Sequence, residues 1–178
     1  MKSIAKKLCD FCNRNELSIE FIQKMAKEYA LSDEEKSCSF FTEKYGISKS
    51  CFYRAKDFAI ICCLVNPKTA QLIMRKSAFN SRRHGSSTGS FLHSEDLLEQ
   101  QKDFIDSFSQ SDMEDICHKY AEGLELWVIA NQYQTGSYGI QLLLKKAILS
   151  GIASSDTMML IEQRLQRKGR SLKEIYPK

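Results

Sequence analysis

Between Phe40 and Val65 the chain sets apolar residues at helical spacing and interrupts them once. Phe41, Tyr45, Ile47, Phe52 and Ala55 carry the pattern, and Gly46 falls between its two halves. Apolar residues three and four apart predict amphipathic helices. A Gly between two such runs predicts a tight corner, because a residue without Cβ enters the left-handed region freely. Thr42, four residues before the Gly, is small enough to let the two helices cross closely. Ser48 is placed to cap the second helix by accepting a backbone N–H that has no helical partner. Two prolines and eight glycines in 178 residues leave few interruptions elsewhere, so the expected fold class is all-α.

The same logic places the remaining helices. Residues 2–13 put Ile4, Leu8, Phe11 and Cys12 on one face, and Ser18 caps a second helix through about Tyr29. Ser32 with Glu35 reads as a capping box opening a helix through Lys44. The helix from Ser48 is expected to run through Val65, since Phe58 to Val65 is almost wholly apolar. Asn66-Pro67 stops it and starts another, to about Ser77. Residues 78–94 lack periodicity and hold Arg82-Arg83-His84-Gly85-Ser86-Ser87-Thr88-Gly89-Ser90, which reads as a flexible linker or loop. An acidic helix follows from Ser94 with Leu97, Leu98, Ile105 and Phe108 inward. Ser111 and Glu114 predict another capping box for a helix to about Glu122, and Ser154 opens a last helix to about Lys168.

The Gly46 corner, with Thr42, Ile47 and Phe52 as its packing residues, resembles the helix-turn-helix of DNA-binding proteins. That resemblance implies a recognition helix from Ser48, with Lys49, Ser50, Tyr53 and Arg54 turned to DNA and Asp57 at the end of the face. Arg54 and Tyr53 would reach base edges, while Lys44, Lys49 and Ser50 would fix phosphates. Arg82 and Arg83 in the basic linker would add backbone or minor-groove contacts.

Residues 124–152 repeat the pattern. At an offset of 88 residues Tyr45 meets Tyr133, Ala59 meets Ala147, Thr69 meets Thr157 and Ile73 meets Ile161. Asn66 meets Ser154, both helix caps. The expectation is a duplicated unit: residues 1–79 and 94–178, each built around a helix-turn-helix, joined by residues 80–93. The second copy has Gln134 where the first has Gly46. Its groove-facing residues would be Ser137, Tyr138, Gln141 and Lys145, with Leu142 and Leu144 exposed. Those two leucines suit a protein-binding or self-association surface instead. Trp127 is expected in the core.

Charge follows the same division. Residues 1–84 hold 16 Lys/Arg against 9 Asp/Glu, and residues 85–178 hold 10 against 13. A basic first half suits phosphate binding. No run approaches the roughly 20 apolar residues that span a bilayer, and no export signal is visible, so seven scattered cysteines are expected as reduced thiols in a cytoplasmic protein without a membrane. Cys9 and Cys12 have metal-pair spacing but no second pair, and His84, His93 and His118 do not share ligand spacing, so no metal is expected. No phosphate-binding Gly loop, dinucleotide fingerprint or nucleophile elbow occurs. No cofactor, catalytic residue or enzyme activity is therefore expected. The expected function is sequence-specific binding of double-stranded DNA, as in a transcriptional regulator. The alternatives are an α-helical protein-interaction module, and a DNA-binding accessory of replication, conjugation or recombination.

Overall fold

The computed structural model describes residues 3–33, 36–84 and 94–169, with residues 80–84 and 94 described by their backbone alone. Among them are ten α-helices and no strand: α1 Ile4–Asn15, α2 Ile19–Leu31, α3 Cys38–Tyr45, α4 Lys49–Ile61, α5 Pro67–His84, α6 Ser94–Asp106, α7 Gln110–Ala121, α8 Leu126–Gln132, α9 Ser137–Leu149 and α10 Ser155–Arg167. The chain divides into two compact units, Met1–Phe104 and Ile105–Lys178. No helix of the described residues is long and apolar enough to cross a membrane.

In the first unit α2 packs on α4 and α5, and α3 packs on α4. Three fully buried rings hold α2, α3 and α4 together. Tyr29 meets Phe41 and Phe52 edge-on, each at 5.4 Å, and Phe41 stacks on Phe52 at 5.8 Å. Two lysines are buried with them. The Lys56 ammonium donates to the Ser77 hydroxyl at 3.1 Å and lies over the Tyr29 ring, and burial holds its pKa down to about 8. Lys76 donates to the carbonyls that end α2. In the second unit α7 packs on α9 and α10, and α8 on α9, around Ile116, Ile129, Ile140, Leu143 and Ile161.

Several boundaries differ from those the sequence suggests. Ser32 closes α2 instead of opening a helix; its hydroxyl donates to Tyr29 O. Helix α3 begins only at Cys38, and Glu35 lies outside the described residues. Helix α4 stops at Ile61 rather than Val65. Cys63 takes φ +53°, and Cys62, Cys63, Leu64 and Val65 are buried without being helical. An apolar run marks burial, not conformation, which is why it misled. Helix α5 continues to His84, so the backbone of 80–84 is helix rather than linker; residues 85–93 lie outside the described ones. The cap of α7 is Ser109, paired with Asp112, two residues before the expected Ser111. Leu98 is half exposed, and Trp127 is 63% exposed instead of core.

The backbone breaks of the two units recur at the 88-residue offset. Helices α4 and α9 start at Lys49 and Ser137 and end at Ile61 and Leu149. Gly46 and Gln134 are both left-handed, at φ +63° and +53°. Each is followed by an N–H that reaches back five residues, Ile47 to Thr42 O and Thr135 to Ala130 O. That bond closes a Schellman turn, and it needs the left-handed residue. A tyrosine anchors each corner: the Tyr45 hydroxyl donates to Glu28, and the Tyr133 hydroxyl to Asp115. Gln134 therefore does a glycine's work with a Cβ in place, at a cost of roughly 1–2 kcal/mol. Gln134→Gly is expected to stabilise the second unit by about 1 kcal/mol, read from the denaturation midpoint.

Candidate nucleic-acid interface

The α3–α4 corner is defined by three local devices. Gly46 supplies the left-handed turn, the Ser48 hydroxyl accepts the Cys51 N–H at 3.2 Å, and Phe52 and Ala55 seat α4 on the core. What remains outward on α4 is Lys49, Ser50 and Arg54, all exposed. Ser50 lies within hydrogen-bond distance of Ser48, at 3.1 Å. This places Ser50 and Arg54 about one turn apart on one side of the helix, with Lys49 next to Ser50 in the first turn.

Other expected contact residues are placed differently. Tyr53 is half-buried; its hydroxyl bonds the Cys38 thiol, and the Lys56 ammonium lies 4.9 Å from its ring centre. Burial then raises its pKa well above the ordinary tyrosine value. It braces α4 on α3 rather than standing free. Lys44 is exposed but paired with Glu28 at 2.5 Å, and this pairing, followed by the Tyr45 hydrogen bond, holds the Glu28 carboxyl below its ordinary pKa. Arg82 and Arg83 lie on the α5 backbone, and their side chains are outside the description.

In the second unit Gln141 is exposed, Ser137, Tyr138 and Lys145 are half-buried, and Leu142 is half-buried. Leu144 is core, at 3% exposure, so the expected exposed pair of leucines does not form. The apolar residues that do reach the surface there are Trp127, Leu149, Met159 and Leu160.

Two grooves of the first unit add residues the motif did not include. Between α2 and α3 an open groove of about 540 Å³ is lined by Lys24, Lys27, Lys36 and Lys44, with Glu20 and Glu28 opposed and Phe40 at its side. Of these lysines only Lys44 belonged to the motif; Lys24, Lys27 and Lys36 were legible only as part of the basic half. Beside α4 a second groove of about 430 Å³ places Arg54 and Asp57 opposite Lys7 and Arg14 of α1.

Burial raises the Asp57 carboxyl to about 6, against a smaller opposing pull from Lys56. A carboxyl with a raised folded pKa disfavours folding once ionised. The penalty is absent below the unfolded value near 4 and complete above about 6. Asp57→Asn is expected to raise the melting temperature at pH 7 and to leave it unchanged near pH 4, by thermal melts at both pH values.

Six of the seven cysteines are buried, and all seven are free thiols. Burial pushes Cys117 up to about 11 and Cys63 to about 12, the opposite of the low pKa that makes a thiolate nucleophile. Among the described residues no three His, Cys, Asp or Glu side chains gather as a metal site would require. Compared with known proteins, the chain matches no family model, no curated protein and no solved structure. The class defined by fold and site is thus an all-α chain with an exposed Lys49–Arg54 face on a capped, ring-braced helix.

Proposed function

We propose that the chain is a sequence-specific double-stranded DNA-binding protein of the helix-turn-helix kind, acting as a transcriptional regulator. The observation that carries this reading is the outward face of α4: Lys49, Ser50 and Arg54 exposed on a helix fixed by the Gly46 turn, the Ser48 cap and the Tyr29–Phe41–Phe52 rings. Arg54 is the base reader, because its guanidinium can fork onto guanine O6 and N7. Lys49 and the α2–α3 lysines hold the phosphate backbone. The 88-residue recurrence of caps and left-handed residues supports a duplicated unit. The second copy lacks the basic face, with Ser137, Tyr138 and Gln141 where the first has Lys49, Ser50 and Tyr53.

The test is selection of binding sites from a random duplex pool, followed by two variants. Arg54→Ala is expected to cost about 1–3 kcal/mol and to relax the preference at one base pair. Lys49→Ala is expected to weaken all sequences alike and to lower the salt slope by about one. No enriched site at low salt would overturn the reading. A protein-interaction role would then gain from the exposed Trp127, Leu149, Met159 and Leu160 of the second unit.

A further inference from the structure

The groove between α1 and α4 has the chemistry of a small-molecule site. Each helix contributes a row at i, i+3, i+4 and i+7 spacing: Lys7, Asp10, Phe11 and Arg14 from α1, with Ile4 one turn before them, and Arg54, Asp57, Phe58 and Ile61 from α4. Such spacing puts each row on one helix face. The rows meet at Phe11 and Phe58, whose ring centres are 5.2 Å apart, so the floor is aromatic and the walls are charged. At about 430 Å³ the cavity lies within the range of ligand pockets, about 300–1,000 Å³. Three cations, Lys7, Arg14 and Arg54, face two carboxylates, Asp10 and Asp57. One positive charge is left over. Among the described residues Lys7, Arg14 and Arg54 enter no ion pair with an Asp or Glu, so their donors are open to a ligand.

We infer that this groove binds a small amphipathic monocarboxylate, its carboxylate on Arg14 and Arg54 and its apolar body on Phe11 and Phe58. A single negative charge balances the surplus cation, and a flat or flexible apolar body matches the aromatic floor. A dianion would bring its second charge against Asp10 and Asp57. Guanidinium groups suit a carboxylate because they can bond it through two parallel N–H donors. Arg54 also belongs to the DNA-facing surface, so a bound carboxylate would compete with DNA for it; that consequence alone rests on the reading above.

The experiment is calorimetric titration of the full chain, without DNA, with the phenylalkanoates from phenylacetate to 4-phenylbutyrate and with their neutral amides. At least one acid is expected to bind, and its amide to bind at least about tenfold more weakly, since the charged hydrogen bonds are lost. Arg14→Gln and Arg54→Gln are each expected to weaken the acid about tenfold and leave the circular dichroism spectrum unchanged. The inference is overturned if no acid binds at millimolar concentration, if acid and amide bind alike, or if both variants bind as the parent does. Because DNA is absent, these outcomes are independent of whether the chain reads DNA.

Discussion

Replacing Lys76 with Met is expected to remove about 3 kcal/mol of stability, seen as a lower denaturation midpoint. The reason lies at the end of α2, whose last carbonyls have no partners within the helix. Lys76 is 5% exposed, and its ammonium donates to Tyr29 O at 3.2 Å, Ser32 O at 3.0 Å and Asp33 O at 2.8 Å, and also to the Ser32 hydroxyl. It adds a positive charge where the helix dipole is negative, and its charge lies 4.7 Å from the Tyr29 ring centre. Met keeps the length and apolar stem but removes the charged donor from all three carbonyls, of which Tyr29 O keeps the Ser32 hydroxyl and Asp33 O keeps the Lys36 N–H. Lys56→Met is the informative comparison. Lys56 is as deeply buried, and its ammonium donates to the Ser77 hydroxyl and lies against the rings of Tyr29, Phe52 and Tyr53. Burial has already lowered its pKa to about 8, so removing the charge relieves a cost as well as a contact. Its loss is expected to be well below that of Lys76→Met. Equal losses would show that the carbonyl contacts are not what stabilises α2.

Most of the helices and one corner were legible because their signals are local. Ser18, Ser48 and Asn66 each cap the helix their side chain suggests, and Gly46 takes the left-handed turn its missing Cβ permits. Where two local signals compete, the sequence gives no ranking. Ser32 and Ser37 both precede α3, and the contacts that make Ser32 a terminus come from Lys76, 44 residues away. Likewise Ser109 and Ser111 both have an acid three residues on, and the capping box forms at Ser109. The candidate interface was half legible. Lys49, Ser50 and Arg54 are exposed, as the helix-turn-helix resemblance implies, whereas Tyr53 turns inward toward Cys38 and Lys56. The α1–α4 groove needed a tertiary fact, the meeting of Phe11 and Phe58 across 47 positions of chain. Each row on its own reads as an ordinary amphipathic helix.

Phe52→Ala is expected to cost about 4 kcal/mol and, on the proposed reading of α4, to abolish DNA binding although Phe52 touches no solvent. Phe52 is fully buried and joins α4 to both helices before it, edge-on to Tyr29 and stacked on Phe41. Ala removes both ring contacts and leaves a cavity that three separate helices line, so α4 loses its fixed angle to α3. Arg54 and Lys49 stay on the helix, but the face they form is no longer held to one orientation. Loss of binding in Phe52→Ala with binding retained in a surface control such as Gln71→Ala would tie recognition to that orientation. The second unit offers the reciprocal experiment. Ile140, 88 residues on, is also fully buried, and Trp127, the chain's single Trp, lies in the same unit on α8. Ile140→Ala is expected to lower the midpoint followed by Trp127 fluorescence by about 2–4 kcal/mol, while Phe52→Ala leaves that midpoint in place. If Phe52→Ala moves the Trp127 transition as far as Ile140→Ala does, the two cores fold as one cooperative body.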